Sequence, residues 1–356
     1  MPPARQTMKD TRFHMDVTVD KTTPDNRRPR VFSGIQPSGN LHLGNYLGAI
    51  RNWVQQQDQY ENIFSIVDLH ALSLPTTRDG MRANIRSLAN TLLASGIDPA
   101  KSILFVQSDV REHAELSWML SSVTNMGELR RMTQYKDKSG EHEESVSSAL
   151  FMYPVLMVGD IILYDADLVP VGEDQKQHIE LTRDVAYRFN QRYGETFRIP
   201  EPDIKKAGAR IMSLDDPTKK MSKSNPNPNS YIALTDEPNV IRKKFRRAVT
   251  DSGSEVVASP DKPALTNLMS IYAILTNDTL EGVAEKFVGK GYGDFKKELG
   301  EVVVSTLEPI QNRIREFEES PEIVDRILSD GAAAARKIAS AKMDLVRDRM
   351  GLGGAH

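Results

Sequence analysis

From Arg30 onward the chain alternates short apolar runs with amphipathic ones. Val31-Phe32-Ser33 reads as a strand, Gly34 to Gly39 as a turn-rich loop carrying Pro37, and Leu43, Leu47, Ile50 and Val54 follow helical spacing. The pattern recurs. Ile63 to Val67 is a strand followed by Asp68-Leu69-His70. Arg82 to Ser95 is a helix ending at Gly96, and Ser102 to Gln107 is another strand. After a largely helical stretch, 112–164, Val169-Pro170-Val171 returns to the sheet. A helix then runs to about Tyr193, with Gly194 as its C-cap. Strands alternating with helices imply an α/β fold: a doubly wound, mostly parallel sheet with helices on both faces. Residues 195–230 read as loops. Beyond about Pro238 the reading is nearly all helix, over 239–249, 264–276, 293–318 and 321–350.

At roughly 100–200 residues per domain, 356 residues suggest two. Residues 1–29 carry no clear period and are expected to be a disordered tail. Residues 30–230 are expected to form a nucleotide-binding domain, and 231–356 a helical one. The chain has no cysteine, which excludes disulfides, thiolate metal sites and a cysteine nucleophile. A net charge of −3 gives no global basic field. No apolar run approaches the ~18 residues of a membrane span. The nearest, Ala149 to Gly159, holds Tyr153 and Pro154 and stops at Asp160. The first 29 residues lack the apolar core of a signal peptide, so a cytoplasmic location is expected. The histidines show no HExxH and no i, i+4 pair, so no metal site is expected. Trp53 and Trp118 are expected to pack within helices.

Three segments carry chemistry. The first is Ser33-Gly34-Ile35-Gln36-Pro37-Ser38-Gly39-Asn40-Leu41-His42-Leu43-Gly44-Asn45-Tyr46. Its glycines let backbone approach a ligand, and a helix N-terminus offers N–H groups to an anion. A plain strand-to-helix turn would use the same glycines. The second is Val169-Pro170-Val171-Gly172-Glu173-Asp174-Gln175, where a carboxylate near a helix start either caps the helix or accepts from a ribose. In a doubly wound sheet both junctions can meet at the carboxyl ends of the strands. The third is Lys219-Lys220-Met221-Ser222-Lys223-Ser224, bracketed by Pro217 and Pro226. It is either a solvated loop or a lid that brings ammonium groups to a phosphate.

Together these segments resemble the class I aminoacyl-tRNA synthetases. His42-Leu43-Gly44-Asn45 matches the first signature of that class, usually written HIGH. Lys220-Met221-Ser222-Lys223-Ser224 matches the second, KMSKS, letter for letter, about 175 residues later. Ser33 to Gly39, Val67-Asp68-Leu69-His70-Ala71, Tyr153-Pro154-Val155-Leu156-Met157, Val169 through Glu180 and Gly208 through Ser213 narrow the resemblance to the bacterial-type tryptophanyl-tRNA synthetase family, over about residues 31 to 350. Asp often follows the lysine signature, and here Asn225 does.

The resemblance implies a Rossmann-type catalytic domain with a lid at 219–225, a homodimer interface within 112–164, and an anticodon-binding region in 231–356. It implies ATP contacts at Gln36, Pro37, Ser38, Gly44 and Asn45, with Gly172, Glu173 and Asp174 on the adenosine and Ile211 beside the adenine. Lys220, Met221, Ser222, Lys223 and Ser224 would cover the pyrophosphate, and His42, Lys220 and Lys223 would be the catalytic groups. The tryptophan pocket would comprise Phe32, Met157, Asp160, Val169 and Val171, with His70 and Gln175 facing the substrate. The implied activity is activation of L-tryptophan with ATP and transfer to tRNA(Trp), with Mg2+ arriving with ATP. The competing readings are the same chemistry with tyrosine, a small-molecule adenylyltransferase that shares the first signature, and an auxiliary paralogue that binds tryptophan and ATP without charging tRNA. The Arg242 to Arg247 cluster is either a solvated helix flank or a local phosphate contact.

Overall fold

The computed structural model describes residues 27–39, 41–133, 147–172, 175–203 and 210–353. Most of the expected tail, Glu173, Asp174, and the middle of the 112–164 stretch lie outside the described residues.

Among the described residues five parallel strands form one sheet: β1 (Arg30–Ile35), β2 (Glu61–Ile66), β3 (Ser102–Val106), β4 (Leu168–Pro170) and β5 (Glu201–Asp203), in the order β3-β2-β1-β4-β5. β2 buries five of its six residues, because a parallel interior strand is covered on both faces. The order reverses between β1 and β4, where Val31 pairs with Leu168. The crevice beyond the carboxyl ends of these two strands is where such sheets bind ligands.

The helix after β1, α1, starts at Leu43–Asn45, widens through a π-helical turn at Tyr46–Ile50 and continues over Arg51–Gln56. Asn45 Oδ1 accepts from the His42 backbone N–H at 3.0 Å, satisfying a donor that helix entry would otherwise strand. Short α2 (Asp68–Ala71) follows β2, and α3 (Arg78–Ala94) begins under a Thr77 cap. Next come α4 (Glu112–Ser121), α5 (Met126–Arg131), α6 (Ser148–Ile162) and α7 (Lys176–Tyr193). Gly194 ends α7 with φ 94°, a conformation that favours glycine. The remaining helices are α8 (Pro238–Arg247), α9 (Pro263–Thr276), α10 (Leu280–Lys286), α11 (Tyr292–Glu319) and α12 (Pro321–Met350).

Two hydrophobic clusters hold these layers. One joins Leu43, Phe64 and Leu88 to Phe245, Leu268 and Val303, so the core runs unbroken from the sheet into the C-terminal helices. The other packs Phe105, Val158, Ile161 and Phe189 against Ala335 and Ala339 of α12. Helix α12 lies directly on edge strand β3. A Cβ on Gly331 would collide with the carbonyl of Leu104, so glycine permits this close cover of an exposed edge. A two-pronged Arg347–Glu115 pair, at 2.8 and 2.6 Å, fastens α12 to α4.

Three expectations differ from the structure. The 195–230 segment contains β5, and the C-terminal region contains an additional short helix, α10. Trp118 is 79% exposed on α4 and does not pack in the core.

Candidate active site

The carboxyl ends of β1 and β4 open into a cavity of about 320 Å³. Its wall holds Phe32, His70, Met157, Asp160, Val169, Val171 and Gln175, which come from β1, α2, α6, β4 and the start of α7. These are the seven residues assigned to one pocket by resemblance. Gln36 and Gly172 line the same cavity. So do Ser33, Gly34, Trp53, Val67, Tyr153 and Ile161, which the pocket assignment omits. Ser33 Oγ is buried with no hydrogen-bond partner among the described residues. Tyr153 donates or accepts across 2.8 Å with His178 Nε2, and burial pushes its phenol up to about 12.

Asp160 is the polar centre of this wall. It is 2% exposed. Its Oδ1 accepts from Gln107 Nε2 and His113 Nδ1, each at 2.6 Å, and its Oδ2 accepts from His70 Nε2 at 2.7 Å. Burial alone would raise this carboxyl, but the hydrogen bonds and charges of His113 and His70 outweigh it and hold it well below the ordinary carboxylate range. A carboxylate has about four acceptor positions, and among the described residues three are occupied. One remains on Oδ2.

The other signature residues gather above β1. His42 pairs across an antiparallel bridge with Ala233, and Met212 pairs likewise with Lys220. The Met221 N–H donates to the Ile211 carbonyl at 3.0 Å. The first contact ties the start of α1 to residue 233 and the other two fold 220–221 onto 211–212, and two glycines show how closely α1 and the 219–225 segment then meet. Gly39 has φ 96°, and a Cβ there would lie 3.0 Å from Lys223 Nζ. A Cβ on Gly44 would press the His42 ring at 3.0 Å and the Met221 side chain at 3.4 Å. Glycine at 44 therefore makes room for two signature side chains. Pro37 and Ser38 lie in the β1–α1 loop, where the Ser38 N–H donates to the Gln36 carbonyl at 2.8 Å. Ser224 N–H donates to Ser222 Oγ at 3.2 Å, turning the end of the lysine segment. Asn225 faces Asp215, and Asn227 donates to the same carboxylate at 2.6 Å. Ile211 is buried in the core.

Burial, and then the charges of Lys220 and Lys223, lower His42 to about 4. Its ring is buried at the start of α1, in capping-box reach of the Asn45 backbone N–H. His42 is thus a neutral donor at pH 7. A group depressed from 6.5 to about 4 contributes stability that is complete above pH 6.5 and is lost as pH falls toward 4. Urea unfolding at pH 7 and pH 4 should show the native protein losing up to about 3 kcal/mol more than a His42→Asn variant. Equal losses would contradict the assignment.

Among the described residues no three His, Asp or Glu side chains gather to hold a metal. No helix among them is long and apolar enough to cross a membrane. A larger, more open depression of about 670 Å³ lies between residues 210–217 and helices α9 and α10, and none of the expected site residues line it.

Residues 23–308 match the family model for class I tRNA synthetases of tryptophan and tyrosine. The chain is 54% identical to a tryptophan–tRNA ligase of Halalkalibacterium halodurans over 91% of this chain and 98% of that protein. It superposes on the crystal structure of a tryptophanyl-tRNA synthetase from Mycoplasma pneumoniae with TM-score 0.82 and 38% identity, covering 91% and 98% of the two chains. A Campylobacter jejuni tryptophanyl-tRNA synthetase, solved with ADP and tryptophan, gives TM-score 0.78 and 36% identity over 91% of this chain and 100% of that one.

Proposed function

This chain belongs to the class I tRNA synthetases that serve tryptophan and tyrosine, and we propose from that membership that its cavity takes L-tryptophan and its signature segments take ATP. The activity is ATP-dependent formation of tryptophanyl-adenylate and transfer of the tryptophanyl group to tRNA(Trp).

The observation that carries the pocket assignment is the remaining acceptor position of Asp160, which suits the indole N–H. With that bond made, the buried carboxylate is fully satisfied. An amino acid without such a donor leaves it short, and buried unpaired polar groups discriminate strongly. Phe32, Met157, Val169 and Val171 supply the apolar walls.

In the activation step the tryptophan carboxylate attacks the α-phosphorus in line and the bond to pyrophosphate breaks. The carboxylate is already ionised, so no enzyme base is needed. Positioning and charge stabilisation carry the rate. Neutral His42 donates a hydrogen bond to the triphosphate without adding charge. Lys220 and Lys223 supply positive charge where the leaving group becomes more negative. Gln36, Pro37, Ser38, Gly44 and Asn45 would hold the phosphates and Gly172, Glu173 and Asp174 the ribose, with Ile211 behind the adenine. Mg2+ would arrive with ATP and would add positive charge at the phosphates.

We place tRNA along the helical region, 231–356, and read 30–230 as the catalytic domain. Within the basic cluster, Arg242 is engaged with Glu301, and buried Lys244 donates to Asp236 at 2.6 Å. Lys243, Arg246 and Arg247 are the exposed cations of that helix. The working location is the cytoplasm. The working assembly is a homodimer joined through 112–164, supported by the exposure of Trp118 (79%) and Met126 (57%) on α4 and α5. Trp118→Asp should weaken the dimer at least about tenfold by sedimentation, because a central aromatic carries much of an interface's energy. Unchanged mass at all concentrations would exclude this face.

Charging assays test the whole reading. Labelled tryptophan should become acid-precipitable with tRNA(Trp) and ATP, while tyrosine with tRNA(Tyr) should not. Charging of tyrosine would favour the sister activity, and adenylate formation without any charging would favour the auxiliary paralogue.

A further inference from the structure

Behind Asp160 lies a set of buried polar groups that the reaction chemistry leaves unused. His113, on α4, is 0% exposed and does not line the cavity. Its Nδ1 meets Asp160 Oδ1 at 2.6 Å and its Nε2 meets the Tyr164 hydroxyl at 2.8 Å. Tyr164 is itself fully buried, and burial pushes its phenol above the ordinary range, so the hydroxyl keeps its proton. A carboxylate only accepts, so His113 Nδ1–H donates to Asp160, while His113 Nε2 and the Tyr164 hydroxyl share a hydrogen bond. The Tyr164 ring is in turn fixed, stacked on Phe32 of the cavity wall at 5.7 Å and 10°, and its backbone carbonyl accepts from Arg30 Nη1 at 2.5 Å.

We propose that His113 and Tyr164 are positioning residues for amino-acid selection, holding the Asp160 carboxylate in the one rotation that presents its last acceptor position to an N–H donor in the cavity. A carboxylate's terminal torsion is soft, so a carboxylate held by fewer partners can turn. His113 pins Oδ1 from inside the protein while His70 takes one position on Oδ2. Neither His113 nor Tyr164 lines the cavity: His113 reaches it through Asp160, and Tyr164 through His113 and through Phe32, whose ring Tyr164→Phe leaves stacked. This inference rests on the tryptophan-pocket reading.

The test compares tryptophan with β-(3-benzothienyl)alanine, a close shape match in which sulfur replaces the indole N–H. Both are measured by amino-acid-dependent exchange of pyrophosphate into ATP. The native protein should favour tryptophan strongly in kcat/KM. His113→Phe should shrink that preference about tenfold or more, the scale of a lost hydrogen bond to a charged group. The loss should fall on tryptophan, with KM for ATP unchanged. Tyr164→Phe, which removes one oxygen, should shrink the preference in the same direction by about threefold, the scale of a neutral hydrogen bond. His113→Asn, which keeps an N–H near the Nδ1 position, should restore part of it. A merely structural role would lower both substrates together. An unchanged preference in His113→Phe and Tyr164→Phe, alongside a collapse in Asp160→Ala, would overturn the positioning role alone. An unchanged preference in Asp160→Ala would remove the pocket reading and this inference with it. Tyr164→Phe keeps the test open if His113→Phe does not fold.

Discussion

Asp160→Ala should abolish most of the selection for tryptophan. The substitution removes the acceptor for the indole N–H and strands three donors, from Gln107, His113 and His70, that now converge on one carboxylate. Breaking a buried charged cluster by deleting one partner costs about 3–5 kcal/mol of stability. Catalytically, kcat/KM for tryptophan should fall by about 10²-fold or more, since a site built around a hydrogen bond rejects analogues that lack it by larger factors still. Phenylalanine, which has no N–H to lose, should fall far less, so the preference narrows. Steady-state exchange with both amino acids checks this, alongside a melting curve to confirm folding. Undiminished discrimination would remove Asp160 from the pocket.

Lys223→Ala should slow adenylate formation by about 10²–10³-fold, the range for removing one donor aimed at transition-state charge. Lys223 Nζ sits against Gly39 in the β1–α1 loop, close enough that a Cβ there would lie 3.0 Å away. Its partial burial lowers its affinity for a proton, and a ligand phosphate would restore it. Because the charge on the leaving group develops during reaction, the rate should suffer far more than tryptophan binding. Single-turnover rates and tryptophan titration separate the two. Equal losses in rate and affinity would contradict the lid role.

Much of this arrangement is legible in the sequence because its cues are local. The βα alternation, the glycine at 194 and the C-terminal helices each rest on neighbours a few residues apart. β5 was hidden because Glu201-Pro202-Asp203 has neither alternation nor β-branched residues, and only the adjacent β4 makes it a strand. The seven-residue α10 is too short to show a helical period. The pocket residues were reachable because the resemblance carries motifs. Gln107 and His113 were not, because they lie 53 and 47 residues from Asp160 and belong to no motif. Trp118 illustrates the opposite failure: a large apolar side chain at helical spacing reads as core, and only its surroundings show that it faces outward. Ser33 and Tyr153 lie inside quoted motifs, but nothing in their spacing shows that they face the cavity.

The central claim is that one cavity binds tryptophan beside an ATP site formed by His42 and the 219–225 segment. Exchange of labelled pyrophosphate into ATP, across all twenty amino acids and without tRNA, tests it most directly. Exchange with tryptophan alone is the predicted result. Exchange driven by another amino acid, or none from folded protein even after tRNA is added, would contradict it.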